Sequence, residues 1–228
     1  MESNERALQL LGLFSAIRTC GHYVYKSGNH GKVYVNKDDV SPHVYALSDF
    51  TDPIAEEWLE KGIEVVVAPA VGALGLGQML ALSLCSMLGG SHILSLYAEK
   101  ELLPVEDPTG QGRKLLLDTG KFVLKRGYAE KVRGRRVLVF EDILTSGQSA
   151  RATCEAVRLA GGIVCGVAAL CNRGGVTAEI LGVPRLTSLV EVSLEQWSPQ
   201  ECPLCRDGVP VNTDLGKGAQ FLASLDNN

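Results

Sequence analysis

Residues 137–151 read Val-Leu-Val-Phe-Glu-Asp-Ile-Leu-Thr-Ser-Gly-Gln-Ser-Ala-Arg. Four apolar residues come first, then two adjacent acids, two more apolar residues and a turn rich in Thr, Ser and Gly. The apolar start predicts a buried strand over 136–141, and a helix follows over about 148–160. The strand delivers Glu141 and Asp142 to its carboxyl end. Gly147 lets the backbone approach a ligand, and the N–H groups of Thr145, Ser146, Gly147, Gln148 and Ser149 can point into one concavity at a helix N-terminus. The hydroxyls of Thr145, Ser146 and Ser149 add donors. This is chemistry for a phosphate monoester. Two acids beside an anion site make sense once a sugar joins them, because sugar hydroxyls donate and carboxylates accept.

The pattern around this block is regular. Residues 63–68, 92–98, 136–141 and 163–170 read as short strands and 186–190 as a candidate fifth, with helices over 72–88 and 148–160 between them. Such alternation predicts an α/β fold: a parallel twisted sheet flanked by helices, with functional loops at the carboxyl ends of the strands. Thr51-Asp52-Pro53 predicts a helix start, and Gly62 its end. Residues 4–19 have helical spacing, and 32–36 read as a strand. One domain over 1–228 is expected, with a core at about 48–190 and a small hood from 1–45 and 191–228. Between 99 and 135 the pattern lapses, and Pro104 through Arg113 hold two prolines and two glycines. A long loop in a compact domain is usually functional, so a flexible lid is expected there.

The formal net charge of −4 argues against a nucleic-acid surface. No apolar run reaches the roughly 18 residues of a membrane span. The start MESNERALQLLGLF lacks the basic region of a secretory signal, so a cytoplasmic location is expected. There are seven cysteines; the odd count speaks against a full disulfide framework, and Cys20, Cys85, Cys154, Cys165 and Cys171 read as reduced thiols. Cys202-Pro-Leu-Cys205 is a single CxxC beside Trp197. Zinc needs four ligands, while His22, His30, His43 and His92 are scattered along the chain. The CxxC is therefore expected to be a packed C-terminal turn, with half a metal site shared across a dimer or a redox pair as alternatives.

The 137–151 block resembles the 5-phosphoribosyl 1-diphosphate (PRPP) motif of type I phosphoribosyltransferases. The resemblance implies that Glu141 and Asp142 face the ribose hydroxyls and that Thr145 through Ser149 bind the 5-phosphate. It implies that the loop Val67–Gly75, with Val71 and Gly72 at its centre, contacts pyrophosphate, often through an unusual peptide geometry. Residues 26–36, KSGNHGKVYVN, are similar to the base-covering segment of orotate phosphoribosyltransferases, which makes Lys26, Tyr34 and Val35 candidates for base binding. Arg151 matches an arginine that pairs with the orotate carboxylate in that family, as a guanidinium fork suits a carboxylate.

Two departures stand out. Orotate enzymes often carry a lysine where this chain has Val71-Gly72. Their lid holds Arg-Lys-Glu-x-x-Lys-Asp-His-Gly, where this chain reads Tyr97-Ala98-Glu99-Lys100-Glu101. Lys100 carries over as a catalytic candidate, and Lys125 and Arg126 are candidate lid cations. Residues 122–128, 172–176 and the CPLC run resemble an orotate-phosphoribosyltransferase-like bacterial subgroup. The resemblance further implies magnesium held mainly by PRPP, a nucleobase as second substrate and a homodimer. A purine or uracil phosphoribosyltransferase and a non-catalytic PRPP-binding regulator are the alternatives.

Overall fold

The computed structural model describes residues 12, 16–25, 27–36, 39, 42–106, 114–192 and 195–225. The chain divides into two units, residues 1–43 with 192–228, and residues 44–191.

The first unit is built from very short elements. Strand β1 (Ile17–Arg18) pairs antiparallel with β4 (Tyr34–Val35), and β2 (Tyr23–Val24) with β3 (His30–Gly31). The helical spacing of 4–19 therefore ends earlier than expected, because Ile17 and Arg18 pair with a strand. Most of that segment lies outside the described residues. The two-residue strands are held by longer-range bonds: His30 exchanges backbone hydrogen bonds with Trp197, and Asn212 N–H donates to the His22 carbonyl at 2.8 Å. These bonds draw His22 and His30 onto Cys202 and Cys205, so the scattered histidines of the sequence are neighbours in space. The CxxC is itself a short C-terminal turn, with Cys202 buried and Cys205 exposed, and the two histidines stand beside it. Spacing along the chain could not show this proximity, since His22 and Cys202 are 180 residues apart.

The second unit holds the sheet. It runs α1 (Val44–Glu56), β5 (Val65–Pro69), α2 (Leu74–Met87), β6 (Leu94–Glu106), β7 (Lys114–Val123), α3 (Tyr128–Val132), β8 (Arg136–Leu144), α4 (Gln148–Leu159), β9 (Ile163–Asn172), α5 (Ala178–Leu181) and β10 (Leu186–Glu191). The sheet order is β10-β9-β8-β5-β6-β7, parallel except for β7. The apolar runs form strands because both faces are covered. Val65, Val67, Val137 and Val139 join a cluster with Ala150, Cys154 and Val157 of α4. The alternate residues point the other way, where Gly77 of α2 lies against Ala68 and Phe140. Each fully buried valine contributes about 1.5–3 kcal/mol, set against roughly 1–2 kcal/mol for ordering its backbone.

Two expectations fail here. Helix α1 begins at Val44, not at Thr51. Thr51 is a buried interior residue whose hydroxyl donates to the Leu47 carbonyl and meets Ser83 Oγ at 2.9 Å, and Pro53 sits inside the helix. Gly62, in the left-handed region at φ 61°, ends the short 3-10 turn Leu59–Lys61 instead of α1. The expected lid loop is also not a loop. Residues 94–106 and 114–123 form a long antiparallel hairpin, with a register shift between Lys100 and Leu102, and its tip at 107–113 lies outside the described residues. Cross-strand pairing overrides the proline and glycine signals, which fall mostly near the tip. No helix among the described residues is long and apolar enough to cross a membrane.

Candidate active site

The sheet order places the site. From β5 the chain crosses to β6 on one side, while β8, β9 and β10 extend on the other. The order reverses between β5 and β8, and ligands of open α/β sheets bind outside the carboxyl ends of the strands at such a point. Val67 of β5 lies opposite Val139 of β8, so Pro69 is level with Glu141. The 70–75 and 141–149 segments therefore leave the sheet side by side. Leu144 lies opposite Asn172 of β9, and Pro69 opposite Ala98 of β6. Residues 173–176 and Lys100 thus reach the same end of the sheet.

Glu141 and Asp142 are buried, 6% and 9% exposed. Their carboxylates accept from the local backbone: Asp142 N–H donates to Glu141 Oε1 at 3.2 Å, and Ile143 N–H to Asp142 Oδ1 at 2.7 Å. After β8 the chain turns through Thr145 and Ser146 to Gly147, which caps α4 at φ 72°. That φ suits glycine, and a Cβ there would lie 2.8 Å from the Leu181 side chain and 3.0 Å from Val176. Gln148 N–H donates weakly to Ser146 Oγ at 3.4 Å. Ser146, Gln148 and Ser149 are exposed, and Thr145 is half-buried. Arg151 is exposed on the first turn of α4, its N–H donating to the Gly147 carbonyl.

The structure adds a support for this loop in the segment after β9. The N–H groups of Arg173 and Gly174 both donate to the Leu144 carbonyl, at 3.0 and 3.2 Å. The Arg173 guanidinium donates through Nε to Thr145 Oγ1 at 3.0 Å. The Asn172 side chain closes the turn on both backbone groups of Val176, at 2.8 and 3.1 Å. A Cβ at Gly174 would overlap the Thr145 carbonyl. Residues 172–176 carried no site assignment in the sequence, although an Arg-Gly-Gly run directly after a buried parallel strand is a signal that could have found them.

The loop after β5 carries a cis peptide bond between Ala70 and Val71, the unusual peptide geometry implied by the resemblance. Ala70 N–H donates to the Ala98 carbonyl at 2.8 Å, and Val71 is exposed, as is Gly72.

At the base of the hairpin, Lys100 Nζ pairs with Asp118 across the strands at 2.6 Å. Lys125 and Arg126 both pair with Glu99, at 3.5 and 2.9 Å. The Arg126 hydrogen bond, with the two cationic charges, holds the Glu99 carboxyl below the usual carboxylate range. Arg126 also lies over the Tyr97 ring. Strand β7 packs on α4, and Gly120 comes close to the Gln148 side chain, so the hairpin is rooted beside the 145–149 turn. Of the base-binding candidates, Lys26 lies outside the described residues. Tyr34 and Val35 belong to the first unit; Tyr34 stacks near Tyr25, while the Val35 side chain is buried, leaving its backbone as the part that could meet a ligand.

No protein-family model matches the chain. An orotate phosphoribosyltransferase of Caldicellulosiruptor bescii is 31% identical over 191 residues, covering 84% of this chain and 86% of the relative. Another, of Caldanaerobacter subterraneus, is 30% identical over 207 residues, covering 91% and 94%. Among solved structures, orotate phosphoribosyltransferase of Mycobacterium tuberculosis in complex with PRPP aligns with TM-score 0.58 at 23% identity, covering 85% of this chain and 98% of that one. An adenine phosphoribosyltransferase of Thermoanaerobacter pseudethanolicus aligns with TM-score 0.51 at 18% identity, covering 81% and 99%. The solved structures share the fold, on purine and orotate enzymes alike, and the sequence relatives are what separate these groups. On their identity and coverage, with the acidic strand end and glycine-capped loop at the switch point, this chain belongs to the orotate phosphoribosyltransferase family.

Proposed function

We propose that the protein transfers the 5-phosphoribosyl group from PRPP to orotate, giving orotidine 5-phosphate and pyrophosphate. The observation that carries this reading is the strand register that sets the 70–75 loop beside the 141–149 loop. The N–H groups and hydroxyls of Thr145 through Ser149 hold the 5-phosphate, and Glu141 and Asp142 accept from the ribose hydroxyls. The loop at Val71 and Gly72 offers backbone to the diphosphate. Arg151 pairs with the orotate carboxylate. Lys100, Lys125 and Arg126 supply positive charge near the leaving group as the hairpin rearranges, because in the structure each is paired with an acid.

The carboxylates at the end of β8 are hard oxygen donors, which suit magnesium that keeps waters and substrate oxygens in its shell. Bound magnesium would neutralise charge on the departing diphosphate. The protein's own contribution is positioning the C1 carbon against N1 and excluding water. Orotate N1 is acidic, so no strong general base is needed.

A panel of orotate, uracil, hypoxanthine and adenine with PRPP, read by pyrophosphate release, tests this. Orotate is expected to give the highest kcat/KM, by about 100-fold or more, since a site built for a carboxylate loses a charged hydrogen-bonded pair with the other bases. Preference for a purine or uracil would overturn the choice of base. PRPP binding without turnover of any base would favour a regulator.

We also propose a homodimer in the cytoplasm. The hairpin supports the first: Leu103–Leu117 and Val105–Leu115 are cross-strand pairs on one face, each residue 37–54% exposed. A second copy covering this apolar face would remove it from water. Light scattering is expected to read twice the chain mass, and a monomer at micromolar concentration would refute it. No disulfide joins the cysteines of the described residues, which supports a reducing compartment.

A further inference from the structure

We propose that His22, His30, Cys202 and Cys205 form a tetrahedral site for one zinc ion in the unit made from residues 1–43 and 192–228. Their four ligand atoms all lie within 4.8 Å of one another. His22 Nε2 is 3.6 Å from each of the two sulfurs, and His30 Nδ1 is 3.3 Å from Cys205 Sγ. With Zn–S near 2.3 Å and Zn–N near 2.05 Å, tetrahedral angles require N···S of about 3.6 Å. The two ring nitrogens are 2.8 Å apart, against about 3.3 Å around zinc, so they need to part by about half an ångström. This is a Cys2His2 set, the borderline-soft mixture that zinc takes in closed structural sites.

The chemistry of the surrounding atoms points the same way. His22 Nδ1 lies 2.8 Å from the Val209 carbonyl. A carbonyl only accepts, so Nδ1 carries the ring proton and Nε2 turns its lone pair to the other three groups. That is how a metal-bound histidine is normally oriented. His22, His30 and Cys202 are 1%, 0% and 2% exposed, while Cys205 is at the surface. His30 Nε2 is buried with no hydrogen-bond partner among the described residues, so the burial of this imidazole is compensated only through its Nδ1. Cys202 and Cys205 flank the start of a short helix, Pro203–Arg206. Arg206 N–H donates to the Cys202 carbonyl and Gly208 N–H to that of Cys205, a knuckle that aims both sulfurs to one side.

The unit has a need that zinc would meet. Its described strands are two residues long, and its two described C-terminal helices have four and eight residues. So little regular structure rarely supports a separate unit without a staple. The four ligands join a segment near the chain start to one near its end, a closure whose entropic cost a metal offsets. Binding releases two thiol protons to solvent and leaves a neutral centre of two thiolates and two imidazoles; no electron moves.

The test uses the full chain and needs no transfer assay, so its outcome is independent of the proposed reaction. Protein produced with zinc and dialysed against metal-free buffer is expected to carry on the order of one zinc per chain by elemental analysis. Cys205→Ser, chosen because Cys205 is the exposed ligand, is expected to lower retained zinc at least about tenfold. Because a variant can fail to fold, the wild type is also stripped with a chelator and refilled with cobalt(II). The intense visible bands of tetrahedral cobalt, with a sulfur-to-cobalt charge-transfer band, are expected. Wild-type protein that holds no zinc and gives only octahedral cobalt would overturn the site. So would a metal-free Cys202–Cys205 disulfide as the native state, or full zinc retention in Cys205→Ser.

Discussion

Asp142→Asn is expected to lower kcat for phosphoribosyl transfer on the order of 100-fold, about 2.7 kcal/mol, while the protein stays folded. Asp142 lies near the carboxyl end of the buried strand β8, two residues before its last residue Leu144, beside the 145–149 turn. Its Oδ1 accepts from Ile143 N–H at 2.7 Å, and an asparagine oxygen can take the same bond, so the local backbone is kept. The charge is what goes. A charged acceptor binds a hydroxyl about twice as strongly as a neutral one, and positive character developing at C1 loses a nearby anion. The loss should therefore fall mainly on kcat, with a smaller rise in KM for PRPP. Steady-state kinetics beside a thermal melt measure both parts. A well-folded variant with unchanged kinetics would remove Asp142 from the mechanism.

Gly174→Ala is expected to have the largest effect on stability, with a melting temperature lower by about 5–10 °C and PRPP binding weakened in parallel. The new Cβ would overlap the Thr145 carbonyl. Neither backbone can easily move aside, because Arg173 and Gly174 are both bonded to the Leu144 carbonyl. Relief has to come from separating the ends of β8 and β9, which also pulls Arg173 from Thr145. Gly175→Ala is the control. Gly175 has φ 61° with open space around its Cβ position, so that substitution carries only a left-handed penalty of about 1–2 kcal/mol. Equal melting of Gly174→Ala and wild type would show that the 173–174 segment is not the brace of the loop.

Much of the sheet was legible in the sequence. The runs at 63–68, 136–141, 163–170 and 186–190 fall mostly on observed strands; the first three are chiefly apolar, a signal local to the run, while Thr187 and Ser188 make the fourth mixed. The misreadings have a common cause. Thr51 and Pro53 carried a helix-start signal, but packing of Leu47, Phe50 and Ile54 in the interior extended α1 backwards past it. The 99–135 stretch looked like a loop because its leucines are exposed and follow no buried periodicity, while the pairing of β6 with β7 is a matter of register. Arg173 escaped notice since its partner, Thr145, is 28 residues away.

The sequence by itself determined the alternating strands and helices, and the order of chemistry in 137–151: strand, two acids, hydroxyl-rich turn, helix. These follow from side-chain polarity and glycine placement over a few neighbouring residues. Only the tertiary structure decided that β5 stands beside β8, bringing the 70–75 loop to the acids, and that two histidines near the start meet two cysteines near the end. Both depend on contacts between distant residues, whose selection rests on the packing of the whole unit and leaves no trace in local spacing.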